Sequence, residues 1–158
     1  MALKVVEQYF EILKDYKEKL NKDKITLLLQ VGEFYELYGL LYTDGTQKGN
    51  VWEFCDNVNL KVGLKHQTVY DDSSIKVYMG GVGDAYVNPY IQKAVDRFGW
   101  TVVIFEQVKV GNTNKYDRKE LCVVSPGVNI NSDSVSNITM IIYIDQVKKY
   151  YIIIYIII

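Results

Sequence analysis

The segment Trp100 to Phe105, WTVVIF, limits more than any other feature what this chain can fold into. A continuous apolar run with no polar alternation has no face to give to water. It demands a strand covered on both sides, the place of a central strand in a layered α/β structure. The preceding residues supply one cover: Ile91, Ala94, Val95 and Phe98 recur at i, i+3, i+4 and i+7, the period of an amphipathic helix. Asn88 is placed as its N-cap, Pro89 at its first position and Gly99 just past its end. Val6, Phe10, Leu13 and Leu20 mark another helix, with Glu7, Glu11, Lys14, Asp15 and Glu18 on its opposite side. Asn50 is placed to cap a short third one that carries Val51, Trp52, Cys55 and Val58 inward.

Between these helices, strands are expected at Ile25 to Val31, Glu33 to Tyr38, Leu60 to Leu64, Ile75 to Met79 and Leu121 to Val124. Gly81-Val82-Gly83 reads as a tight strand-to-helix turn, because Tyr86 stands where a dinucleotide fingerprint needs its third glycine. The alternation predicts an α/β fold, a mixed β-sheet packed by about three helices. The chain has 158 residues, suited to one domain with the first strands of a second. We expect a first domain over 1–128, a polar linker over 129–137, and a strand hairpin over 138–158 that opens a truncated second domain. The hairpin pairs Ile138 to Ile144 with Tyr150 to Ile158, turning at Asp145 to Lys149.

Lys plus Arg total 18 against 19 Asp plus Glu, a net charge of −1. That argues against a free-standing basic nucleic-acid binder, which needs clustered surplus cations. Two cysteines, Cys55 and Cys122, make no disulfide framework, and with the lone His66 they make no four-ligand zinc site. A reducing intracellular compartment is the expectation. The N-terminus carries no apolar signal segment. The Ile-rich tail is broken by Asp145, Gln146, Lys148 and Lys149, so no membrane span is expected. No glycine is followed by lysine, which excludes a P-loop. His66 reads as a structural histidine, Cys122 as core packing, and Asp71, Asp72 and Asp84 as solvated carboxylates rather than a nuclease metal site.

The informative stretch is Val31 to Tyr38, VGEFYELY. Side chains two apart on a strand share a face, which leaves two arrangements open. Tyr35 and Leu37 could enter the core and leave Phe34 and Glu36 side by side facing outward, just after a turn at Gly32. Alternatively, Phe34 is the core residue and Tyr35 and Leu37 are half exposed; on the residues alone this second arrangement is preferred.

Gly32 to Tyr38 resembles the signature Gly-(Asp/Glu)-Phe-Tyr-Glu-Leu-(Phe/Tyr) of the MutS family's N-terminal mismatch-recognition domain. Further landmarks follow in that family's order: Gln8-Tyr9-Phe10, Met79-Gly80-Gly81, TVVIFEQ from Thr101 to Gln107, and Val123-Val124-Ser125-Pro126-Gly127. The resemblance covers about residues 7 to 130, and the tail is similar to the opening of the connector domain. The wording is also similar to the branch found in giant viruses and octocoral mitochondria, which implies infected-host cytoplasm or mitochondrion as the compartment.

The resemblance implies DNA mismatch recognition in repair. Phe34 would stack on a mispaired or unpaired base from the minor groove, and Glu36 would hydrogen-bond to that base, protonated and donating at mismatches. Gly32 would let the backbone turn before them, and Lys65 would be a backbone contact. The implied partners are double-stranded DNA with mismatches or unpaired bases, the remaining domains of its own chain, and a second subunit in a full-length dimer. It implies no catalysis in this chain, and ATP and magnesium only in the full-length family's further domains. The chain departs from the family where many members carry Gly-(Ile/Phe)-Pro-Tyr-His, having Gly81-Val82-Gly83-Asp84-Ala85 instead. The rival expectation is a protein-interaction or scaffold module that keeps the fold without reading DNA, which the near-neutral charge and altered loop favour.

Overall fold

In the computed structural model the described residues are 5–65, 74–111, 116–126, 138–145 and 150–157. The expected linker 129–137, His66, Asp71, Asp72 and most of the 145–149 turn lie outside them. The chain divides into two units, Met1–Pro126 and Gly127–Ile158.

In the first unit, helix α1 (Val5–Leu20) leads into strands β1 (Ile25–Val31), β2 (Phe34–Leu41) and the short β3 (Gln47–Lys48). Helix α2 (Val51–Val58), β4 (Val62–Leu64) and β5 (Lys76–Gly83) follow. A 3-10 turn (Asp84–Tyr86) then opens into α3 (Val87–Phe98), β6 (Thr101–Lys109) and β7 (Tyr116–Val124). The strands form one mixed sheet in the order β4-β5-β2-β1-β6-β7, with β3 paired to β2. Among the described strands only β1 and β6 run parallel, Ile25 opposite Thr101 through Leu29 opposite Phe105. The α/β architecture is the expected one.

Layering follows from side-chain parity. Tyr9 of α1 meets Tyr38 of β2 edge to face, ring centroids 5.2 Å apart, so α1 covers the Glu36/Tyr38 face. A methyl at Gly39 would strike Val51 and Trp52 of α2, so α2 covers the opposite face. Helix α3 packs beside α2, and Phe54 meets the buried Trp100 at 5.4 Å. The Trp100 indole N–H donates to Asn57 Oδ1 at 2.9 Å, which satisfies the polar atom of the largest core side chain. With both faces covered, Leu27, Leu28, Leu29, Val102 and Val103 are buried regardless of parity. WTVVIF is therefore the buried strand its composition demands.

Several boundaries differ from expectation. Strand β5 does not stop at Met79: Gly81 to Gly83 continue it, paired with Glu36 to Phe34, and do not form a turn. Helix α3 is capped by Tyr86 without a side-chain cap bond, so Asn88 and Pro89 lie inside its first turn. Proline is tolerated there because first-turn N–H groups have no helical partner. Asn50 also makes no side-chain cap; its Nδ2 donates instead to the Ile25 carbonyl at 2.8 Å, tying α2 to β1. Gly99 does close α3 in the left-handed region, with φ 71°. Strand β7 begins at Tyr116, earlier than expected, because it pairs along β6 as far as Lys109.

In the second unit, β8 (Ile138–Asp145) and β9 (Tyr150–Ile157) form an antiparallel pair, from Ile138 opposite Ile157 to Asp145 opposite Tyr150.

Candidate functional site

The site grows from a two-residue turn. Val31 pairs directly with Phe34, leaving Gly32 and Glu33 as the link between β1 and β2. Gly32 has φ 62° and Glu33 does not share the positive sign, the pattern of a II′ hairpin with glycine at its first central position. The turn is held from both sides. The Gly32 N–H donates to Gln107 Oε1 at 2.8 Å, and the Gln107 N–H donates to Gln30 Oε1 at 2.8 Å. On the other flank the Asp84 N–H donates to the Glu33 carbonyl at 2.9 Å.

This turn decides between the two arrangements of VGEFYELY. Tyr35 and Leu37 are buried, while Phe34 keeps 53% of its surface exposed. The preference for Phe34 as a core residue is thereby overturned. Parity alone could not settle it, because sheet edges and hairpin tips expose what the same parity buries further in. Tyr38 lies under α1, but Phe34 is four residues along the strand, about 13 Å at the usual rise, and projects at the hairpin tip.

Glu36 departs from the other expectation. It shares the face of Phe34 but does not point into solvent: only 8% of it is accessible. The reason is a set of donors on the same face. The Tyr38 hydroxyl and the Lys65 ammonium both donate to Glu36 Oε2, and Lys65 Nζ lies 3.2 Å from the Tyr38 oxygen. The ammonium also sits 4.9 Å from the Tyr38 ring centroid. Burial first, and then the bond to Glu36 and its charge, push the Tyr38 hydroxyl well above its ordinary value. In the free protein Glu36 Oε2 is thus an acceptor. Lys65 is anchored by its own backbone, whose N–H donates to the Val77 carbonyl at 2.8 Å and extends the β4–β5 ladder.

From the sheet's other edge comes Arg118, whose Nη1 donates to Gln8 Oε1 at 2.7 Å. Burial lowers the guanidinium from its ordinary value, while Tyr38, Asp117 and Glu36 raise it. Directly across from Glu36 and Phe34 stand Gly81 and Gly83. Neither carries a side chain, so β5 presents bare backbone beside the ring and the carboxylate. A methyl on Gly83 would lie 3.6 Å from the Tyr86 ring, itself 71% exposed. Phe34 and Tyr86 are therefore two exposed aromatics flanking one glycine shelf.

All four residues singled out from sequence belong to this end of the sheet: Gly32 and Phe34 at the hairpin, Glu36 and Lys65 joined below it. Tyr38 and Tyr86 were missed. Alternation from Glu36 placed Tyr38 on the same face and could have flagged it. Tyr86 gave no signal, since its position depends on the 3-10 turn after β5. Among the described residues, no group of three or more His, Cys, Asp or Glu side chains is placed to hold a metal ion. No helix among them is long and apolar enough to cross a membrane.

The fold and site define an α/β sheet protein with an exposed ring on a clamped hairpin. Compared with known proteins, the chain matches no family model and no curated protein.

Proposed function

We propose that this chain senses defects in double-stranded DNA, with Phe34 as the wedge and Glu36 beside it. The observation that carries this reading is the exposed Phe34 ring on a two-residue turn, two positions from Glu36 on the same face, within a segment resembling the MutS mismatch-recognition signature. Inserting an apolar ring between base steps costs a few kcal/mol of unstacking and kinks the duplex. A mispaired or unpaired base has already lost part of that stacking, so the same insertion costs less there. Discrimination of about 1–3 kcal/mol is the expected scale for one such site. The glycine shelf supports close approach of a base to the Phe34 ring, because Gly83, paired with Phe34, carries no side chain. The chain carries no chemistry of its own on this reading. Nucleotide hydrolysis and dimerisation belong to other domains of such proteins.

The test is fluorescence anisotropy at low salt with matched duplex, duplex with one G·T pair, and duplex with one unpaired T. Tighter binding to the two defective duplexes, lost in Phe34→Ala, is the expected result. Equal binding to all three, unchanged by the substitution, would favour the interaction-module reading, for which the net charge of −1 speaks.

A further inference from the structure

We propose that Lys65 is a positioning residue for Glu36, presenting its carboxylate to DNA as half of an ion pair and not as a free anion. This rests on the mismatch-sensing reading of Phe34 and Glu36. An acidic side chain beside the ring that must enter a groove lined with phosphates is otherwise a liability, since like charges repel over the whole approach. The fold answers this locally. Lys65 directly follows β4 at the sheet edge, and its side chain reaches across β5 to Glu36 on β2. It sets out from opposite Val77, on the sheet face that also holds Met79 and Gly81, and Gly81, paired with Glu36, adds no side chain beside the carboxylate.

The pair is not a loose surface contact. The two side chains are only 21% and 11% accessible, and Tyr38 donates to the same oxygen, fixing the carboxylate from its own strand. Largely removed from water, such a pair is costly to break on one side, because the remaining charge has no partner. Arg118, the other cation facing Glu36 and Tyr38, has Nη1 engaged by Gln8 of α1 and approaches from β7 at the far edge. Among the described residues, Lys65 is the cation in contact with Glu36. Its role is then to cancel the charge of Glu36 on approach and to hold the carboxylate where a base edge can meet it.

A double-mutant cycle on the full chain tests this, read by anisotropy with the matched, G·T and unpaired-T duplexes over a range of salt. Lys65→Met should weaken binding to every duplex by about three- to tenfold, the effect of one uncompensated charge near phosphates. Adding Glu36→Gln to it should restore binding to within about twofold of Glu36→Gln alone, while Lys65→Arg should bind as the wild type does. Urea midpoints confirm folding, and where Lys65→Met does not fold, Lys65→Gln takes its place with the same expectation. If the loss from Lys65→Met persists undiminished in the Glu36→Gln background and the salt slope falls by about one, Lys65 meets a phosphate directly and the inference is overturned. In that case the preference for defective duplexes would still stand. A wild-type chain with no such preference would overturn the mismatch reading itself, and this inference with it.

Discussion

At the residue scale, Phe34 and Gly32 separate the proposed function from stability. Phe34 is half exposed and takes no part in the packed core. Its replacement by alanine should shift the urea denaturation midpoint by no more than about 0.5 kcal/mol equivalent, while removing any preference for defective duplex. Gly32→Ala should do the reverse in part. Nothing lies within 4 Å of a methyl there, but φ is 62°, so the cost is backbone strain of about 1 kcal/mol. Measured stability should fall by that amount with Phe34 still present.

At the element scale, two neighbouring glycines of β5 make opposite predictions. A methyl at Gly80 would sit 2.3 Å from Cys55 Sγ, inside α2. Gly80→Ala should therefore push that helix off the sheet, at a cost of about 1–3 kcal/mol or more. A methyl at Gly81 meets nothing closer than Met79 Cε at 3.4 Å and touches Glu36 Cγ at 3.7 Å. Gly81→Ala should change thermal stability little and reduce discrimination between matched and defective duplex by crowding the carboxylate. These glycines also mark how far the sequence could be read. Helix faces and buried strands were legible because period and apolar content are local properties, as in Ile91, Ala94 and Val95 or WTVVIF. The extent of β5 was not, because Gly81 to Gly83 have no strand propensity and are recruited by their partner β2. The burial of Glu36 was illegible for the same kind of reason: its donor Lys65 arrives through the register of a third strand.

At the scale of the whole molecule, ionisation ties the core to pH. Burial raises the Tyr9 hydroxyl from 10.0 to about 12 and the Cys55 thiol from 9.0 to about 12. Both groups hold their protons more tightly folded than unfolded, so they contribute nothing adverse below pH 9. As pH rises from about 9 to about 12 the unfolded chain releases protons that the folded chain retains, and stability falls. Urea midpoints measured across that window should decline steadily, and Cys55 should resist thiol reagents until the chain unfolds. The clamped turn at Gly32 has a mechanical consequence. A ring driven between stacked bases is loaded at its tip, and a wedge on a compliant loop would deflect before the bases part. Here Gln107 and Gln30 tie the mount to β6 and β1, and Asp84 ties it to the turn that starts α3. On the proposed reading, load on Phe34 would pass into the buried parallel strands β1 and β6, and the duplex would be the partner that yields.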